Sequence, residues 1–148
     1  MESERPAKMT LQTDSDWASN RVTRKSVNGG ALFFGMHLLR SWSKEQGFIA
    51  LSSGEAELYS ANFGAQQALG MQTIAEDFGV KLSIDLEVDS SAAIGIMQRR
   101  GLGRTRHISA NELWMQEKVR LKQFKLIKVP GALNAADLGT KILSGELM

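Results

Sequence analysis

Cysteine is absent from this chain of 148 residues, and that absence excludes disulfides, thiolate metal ligands and thiol nucleophiles together. Histidine is scarce. His37 and His107 are the only two, and they cannot build a zinc site unless carboxylates complete it. Any metal is therefore expected to be a hard cation held by oxygen ligands. No run of about 18 apolar residues occurs, so no membrane-spanning helix is expected. The opening residues, MESERPAK, lack the apolar core of a signal peptide, and an intracellular location is the expectation. Proline occurs only at Pro6 and Pro130, outside the strong patterns, and there is no internal repeat or low-complexity tract.

What is present is ordinary for a globular domain: 43% hydrophobic and 23% charged residues, enough for one real core. The reading is a mobile tail over residues 1–8, a single domain over 9–143 and a short C-terminal tail over 144–148. Formal charge is only +2, but it is unevenly spread. Residues 98–128 hold nine basic side chains against Glu112 and Glu117, a local charge of +7 that leaves −5 for the remainder. Such a run is either a solvated basic face or a track for a phosphate backbone. An accompanying catalytic constellation decides between them.

Hydrophobic periodicity gives a coarse element order. A short strand is expected over residues 9–14, a polar turn over 21–28, and two further strands over 31–36 and 38–42, making a meander. Ser52 opens a helix, with Ser52 and Glu55 forming a capping box. Leu58, Ala61, Ala65, Ala68, Leu69, Ile74 and Phe78 mark its apolar stripe, and Gly79 ends it. Residues 82–88 alternate Leu82, Ile84, Leu86 and Val88 with polar partners, the cleanest strand pattern in the chain. Helices over 91–100 and 105–122 follow, the second carrying Leu113, Trp114 and Val119. A last strand over 124–129 is stopped by Pro130, and Asn134 caps a final helix. A mixed sheet flanked by helices is the expected architecture.

Four carboxylates stand where elements end or begin: Asp14, Glu57, Asp89 and Asp137. Strand ends and helix starts are where open α/β sheets gather ligands, and clustered carboxylates repel one another unless cations lie between them. Each also has a plainer explanation. Asp14 and Asp16 both suit an Asx-turn, Asp89 suits an N-cap, and Glu57 and Asp137 suit the positive end of a helix. The capping box uses Glu55, which leaves Glu57 without a capping role. The three tryptophans, Trp17, Trp42 and Trp114, read either as core or as stacking platforms.

Seven segments, in order, carry a resemblance: TDSDWAS (13–19), TRKSVNGG (23–30), SWSKEQ (41–46), ALSSGEAELYSA (50–61), EVDSSAAI (87–94), RTRHI (104–108) and NAADLGTK (134–141). Together they resemble the ribonuclease H domain of copia-type retrotransposon polyproteins. The resemblance implies an α/β ribonuclease H-like fold, a five-stranded mixed sheet with helices on both faces. It also implies an endoribonuclease that cleaves the RNA strand of RNA–DNA hybrids with two Mg²⁺ or Mn²⁺ ions. By the family pattern Asp14 would bridge both ions, Glu57 and Asp89 would hold the one nearer the leaving group, and Asp137 the one that activates water. Asp16 is the alternative to Asp14.

Phosphate contacts are expected from Arg99, Arg100, Arg104, Arg106, Lys118 and Lys122, with His107 as a candidate accessory. Other implied partners are the hybrid itself and a reverse transcriptase domain of the same polyprotein. The isolated domain would be a monomer, located in the cytoplasm within a virus-like particle or in the nucleus. Two departures stand out. Many cellular ribonucleases H carry a histidine in the loop before the last Asp, and residues 130–136 have none; Ser109 replaces the acid common after His-Ile in the copia group. An inactive relic or domesticated nucleic-acid-binding module is the alternative. An integrase-type nuclease fits this acid order poorly, because its last acid is usually Glu.

Overall fold

The computed structural model describes residues 7–99 and 109–136. Among the described residues, five strands form one mixed sheet, accompanied by three α-helices and a 3-10 turn at Gly131–Leu133. In chain order the strands and α-helices are β1 (Ala7–Asp16), β2 (Val27–Phe34), β3 (His37–Glu45), α1 (Ser53–Asp77), β4 (Leu82–Val88), α2 (Ser91–Gln98), α3 (Ser109–Arg120) and β5 (Lys125–Lys128). Across the sheet the order is β3-β2-β1-β4-β5. The first three strands are the expected antiparallel meander. β4 then pairs with β1 in parallel, and β5 with β4 in parallel. A parallel neighbour cannot be reached by a tight turn, and α1 is the crossover that makes the pairing possible.

Several boundaries differ from the sequence reading, for one shared reason. Ala7 and Lys8, assigned to the tail, are strand residues because they pair with Leu82 and Ser83. Val27 and Asn28, assigned to a polar turn, extend β2 because they pair with Asp16 and Ser15. Ladder partners distant in sequence decide where these strands stop, and local composition does not report them. α2 ends at Gln98 and α3 at Arg120, both short of the expected limits; residues 105–108 lie outside the described residues.

Of the apolar residues the sequence marks, Leu58, Ala61, Ala65, Ala68, Leu82, Ile84, Leu86 and Val88 lie in the core, joined by Met9, Leu11, Leu32 and Met97. Ile74 and Phe78 do not belong to it: they are 53% and 83% exposed, while Met71 and Ala75 of the same last turns are the residues that pack against the core. Leu113 is likewise exposed. In β4 the alternation conceals Asp85, which is buried on a central strand and ion-paired to Lys8 Nζ at 3.1 Å. The described helices α1, α2 and α3 touch one another. The helix expected to begin at Asn134 lies, beyond Ala136, outside the described residues.

Close approach of α1 to the sheet depends on two glycines around Trp42. A Cβ on Gly64 would lie 2.6 Å from Thr13 Cγ2 and 3.3 Å from Trp42 Cζ2, and one on Gly30 would lie 2.0 Å from the indole. Overpacking of this kind costs about 1–3 kcal/mol. Alanine recovers up to about 1 kcal/mol of helix propensity. Gly64→Ala is therefore expected to lose about 1–2 kcal/mol in urea denaturation; unchanged stability would mean that α1 can lift off the sheet freely.

Candidate metal centre

Two adjacent parallel strands bring the first pair of carboxylates together. Leu11 is level with Leu86 and Gln12 with Glu87, so continuing the register sets Asp14 beside Asp89 at the C-terminal ends of β1 and β4. The capping role that Asp89 might have had falls to Ser90, whose Oγ accepts from Ala93 N–H at 3.2 Å. Glu57 arrives from the start of α1. Ser52 Oγ caps that helix by accepting from Glu55 N–H at 3.1 Å. The Glu55 carboxylate turns back to accept from Leu51 N–H at 3.2 Å, one residue earlier than the expected Ser52, and from the Tyr59 hydroxyl at 3.0 Å. Glu55 is thus occupied at the cap, while Glu57 faces the strand ends. One turn further on, Ser60 Oγ donates to the Asp14 carbonyl at 2.6 Å and ties α1 to β1.

The result is a cluster of Asp14, Glu57 and Asp89 in which one carboxylate oxygen from each lies within 4.8 Å of the others. Asp14 and Glu57 are only 5% and 8% exposed. Glu57 Oε1 accepts both the Ser15 backbone N–H at 3.1 Å and the Ser15 hydroxyl at 2.9 Å. Its Oε2 is buried with no donor. Burial first, then the negative charge of Asp14 and to a smaller extent that of Asp89, push the Glu57 carboxyl up to about 8 against the opposing pull of Ser15.

Two carboxylates in contact are both acceptors and cannot satisfy each other, so the orphaned oxygen needs a proton, a water or a cation. An all-oxygen set with a buried, donorless Oε2 fits a hard divalent ion. Asp14, Glu57 and Asp89 are the residues that would hold it.

The far wall comes from the chain after β5. Val129 N–H donates to the Val88 carbonyl at 2.9 Å, and Gly131 lies so near Asp89 that a Cβ there would be 3.2 Å from Oδ2. Buried Asn134 donates from Nδ2 to the Thr13 carbonyl at 2.9 Å and accepts Ala136 N–H on Oδ1 at 3.0 Å. Ala135 N–H reaches Gln12 Oε1 at 2.9 Å. The segment leading to Asp137 is thereby stitched to β1 beside Asp14. Asn134 is expected to cap the final helix, which lies outside the described residues. Its bond to β1, across 121 residues, was not legible in the sequence, and neither were the roles of Ser15, Ser60 and Gly131.

Other expected site residues are placed less centrally. Asp16 ends β1 opposite Val27 and is not part of the cluster. Asp137, His107, Arg100, Arg104 and Arg106 lie outside the described residues. Arg99 follows α2 and, with Met97, Gln116 and Arg120, lines a cleft of about 260 Å³ between α2 and α3. Lys118 Nζ sits 5.7 Å from the centre of the Trp114 ring, and Lys122, just after α3, is exposed. Of the tryptophans, Trp42 packs edge-on against Phe63 and Trp114 against the core. Trp17 is 47% exposed, with its indole N–H held by the Ala50 carbonyl at 3.0 Å.

No known family model matches the sequence. A retrovirus-related Pol polyprotein from a transposon of Nicotiana tabacum is 29% identical over 133 residues, which is 88% of this chain and 10% of that protein. The chain thus spans about a tenth of the length of that relative. Among solved structures, the N-terminal RNase H domain of a Mycobacterium tuberculosis protein superposes with a TM-score of 0.68 at 15% identity, covering 90% of this chain and 91% of that one. An RNase H1 isolated from compost by a metagenomic approach gives 0.71 at 16% identity, covering 90% and 93%. The same compost enzyme in complex with an RNA/DNA hybrid gives 0.56 at 15% identity, covering 89% and 93%. The chain has a ribonuclease H-like fold and is similar along most of its length to a segment of a retrovirus-related transposon Pol polyprotein.

Proposed function

We propose that this domain hydrolyses the RNA strand of RNA–DNA hybrids at the Asp14, Glu57 and Asp89 cluster, with Asp137 as a fourth ligand. The observation that carries this reading is the convergence of three carboxylates from three separate elements within 4.8 Å, in a fold shared with ribonucleases H. A structural neighbour that binds an RNA/DNA hybrid supports the choice of substrate. Divalent cations at such a site promote attack by water and stabilise the leaving oxygen. The protein's own contribution is positional. Parallel strands hold Asp14 and Asp89 level, α1 brings Glu57 to them, and Asn134 and Ala135 tie their segment to β1 beside Asp14. Within a longer polyprotein, a reverse transcriptase domain would supply the hybrid.

Cleavage of labelled RNA–DNA hybrid, duplex RNA and duplex DNA with Mg²⁺, Mn²⁺ or EDTA tests the reading. Metal-dependent cutting of the RNA strand in the hybrid alone is expected. Hybrid binding without cutting in either metal would instead establish a binding module. The basic segment is proposed to grip phosphates, so affinity should fall steeply with salt. Each lost phosphate contact flattens the logarithmic slope by about 0.9. Arg104→Ala combined with Arg106→Ala should therefore reduce it by about 2, and an unchanged slope would return both residues to a solvated face.

A further inference from the structure

We infer that Ser15 restricts Glu57 to a single ligand oxygen and so biases the cluster towards small octahedral cations over Ca²⁺. This rests on the proposed metal-binding role of the cluster and concerns only which cation the site prefers. Both donors of Ser15 converge on the same atom: its backbone N–H at 3.1 Å and its hydroxyl at 2.9 Å reach Glu57 Oε1. The other oxygen, Oε2, is buried and has no donor. Glu57 itself is 8% exposed, so its carboxylate has little room to turn and water cannot readily replace the Ser15 bonds. One oxygen is committed to the protein and one is left for an ion.

Cation preference follows from that division. Mg²⁺ requires near-ideal octahedral geometry with short bonds, which single oxygens from separate carboxylates satisfy. Ca²⁺ takes six to eight oxygens at longer distances and readily accepts a bidentate carboxylate. With Oε1 tied down, Glu57 cannot chelate through both oxygens. Ser15 is thus a positioning residue that acts through Glu57, and the loss of its hydroxyl leaves Oε1 with the weaker of its two restraints.

The test is calorimetric titration of the whole metal-free chain with Mg²⁺ and, separately, Ca²⁺, without nucleic acid. Altering groups that orient a metal ligand typically costs about 10–100-fold in affinity. In Ser15→Ala, Mg²⁺ affinity should fall by roughly tenfold while Ca²⁺ affinity is retained, shifting the preference towards Ca²⁺. Ser15→Thr, which keeps the hydroxyl, should behave like wild type. Ser15→Val also lacks the hydroxyl and suits a strand, so it repeats the measurement if the alanine variant does not fold. Parallel loss of both affinities together with a lower melting temperature would mark Ser15 as merely structural and overturn the inference. An unchanged Mg²⁺-to-Ca²⁺ ratio would overturn it too. Failure of the wild type to bind either cation would overturn the metal-binding role itself.

Discussion

Asp89→Asn is expected to lower cleavage of the hybrid by more than about 10³-fold in Mg²⁺ and in Mn²⁺, while the domain stays folded. The carboxylate stands at the C-terminal end of a buried parallel strand, within 4.8 Å of Asp14 and Glu57. Asparagine keeps the shape but removes the charge that a cation needs. Metal stabilisation of a transferring phosphoryl group is worth several kcal/mol. At about 1.4 kcal/mol per tenfold, losing most of it gives the stated factor. Folding should not suffer, because Asp89 is one of the like charges that push the Glu57 carboxyl up. Removing it relieves repulsion in the metal-free protein. Single-turnover cleavage and urea denaturation check the two halves separately. Equal cutting by wild type and variant would expose a contaminating nuclease or a wrongly assigned site.

Without metal, stability is expected to fall as pH rises from about 4.5 to about 8, and Glu57 is the cause. In the folded chain its carboxyl keeps a proton up to about 8, whereas an unfolded chain releases it near 4.5. Within that window the folded state binds more protons, so raising the pH favours unfolding. The contribution is fully present below the unfolded value and is lost as pH passes through the folded one. Each pH unit separating the folded from the unfolded value corresponds to about 1.4 kcal/mol, which makes the total a few kcal/mol. Glu57→Gln should flatten this part of the profile and be the more stable protein at about pH 8. Millimolar Mg²⁺ should restore the wild type there, since a ligand that binds only the folded state stabilises it by mass action. Denaturation midpoints at about pH 5 and about pH 8, with EDTA or Mg²⁺, read the effect. An identical slope in Glu57→Gln would place the titrating group elsewhere.

The two expectations describe one device from opposite sides. A cluster that strains the metal-free protein as pH rises is the same cluster that would attract a divalent ion there. Ser15 opposes the strain only partly: its two hydrogen bonds favour the charged form of Glu57, but burial and Asp14 outweigh them.

Local chemistry alone made much of this legible. Ser52 and Glu55 marked the start of α1, and the alternation of Leu82, Ile84, Leu86 and Val88 marked β4. Both signals are short-range, a cap within one turn and a period of two, so they survive without knowledge of partners. The capping box also separated Glu55 from Glu57, which the structure places at the cap and in the cluster respectively. The bounds of β1 and β2, the burial of Asp85 and the exposure of Ile74 and Phe78 were not legible. Each depends on what lies across the sheet or against the helix.

By itself, then, the sequence determined the element types, the absence of thiol chemistry and the carboxylates available to bind a hard cation. Tertiary structure decided which of those acids meet. Asp14 and Asp89 are 75 residues apart and become level only through the parallel register of β1 and β4. Tertiary structure also decided that Ser15 holds one Glu57 oxygen and leaves the other bare, a relation spanning 42 residues. Distances of this kind are set by strand pairing and helix packing, whose partners are remote in sequence and therefore invisible to any local pattern.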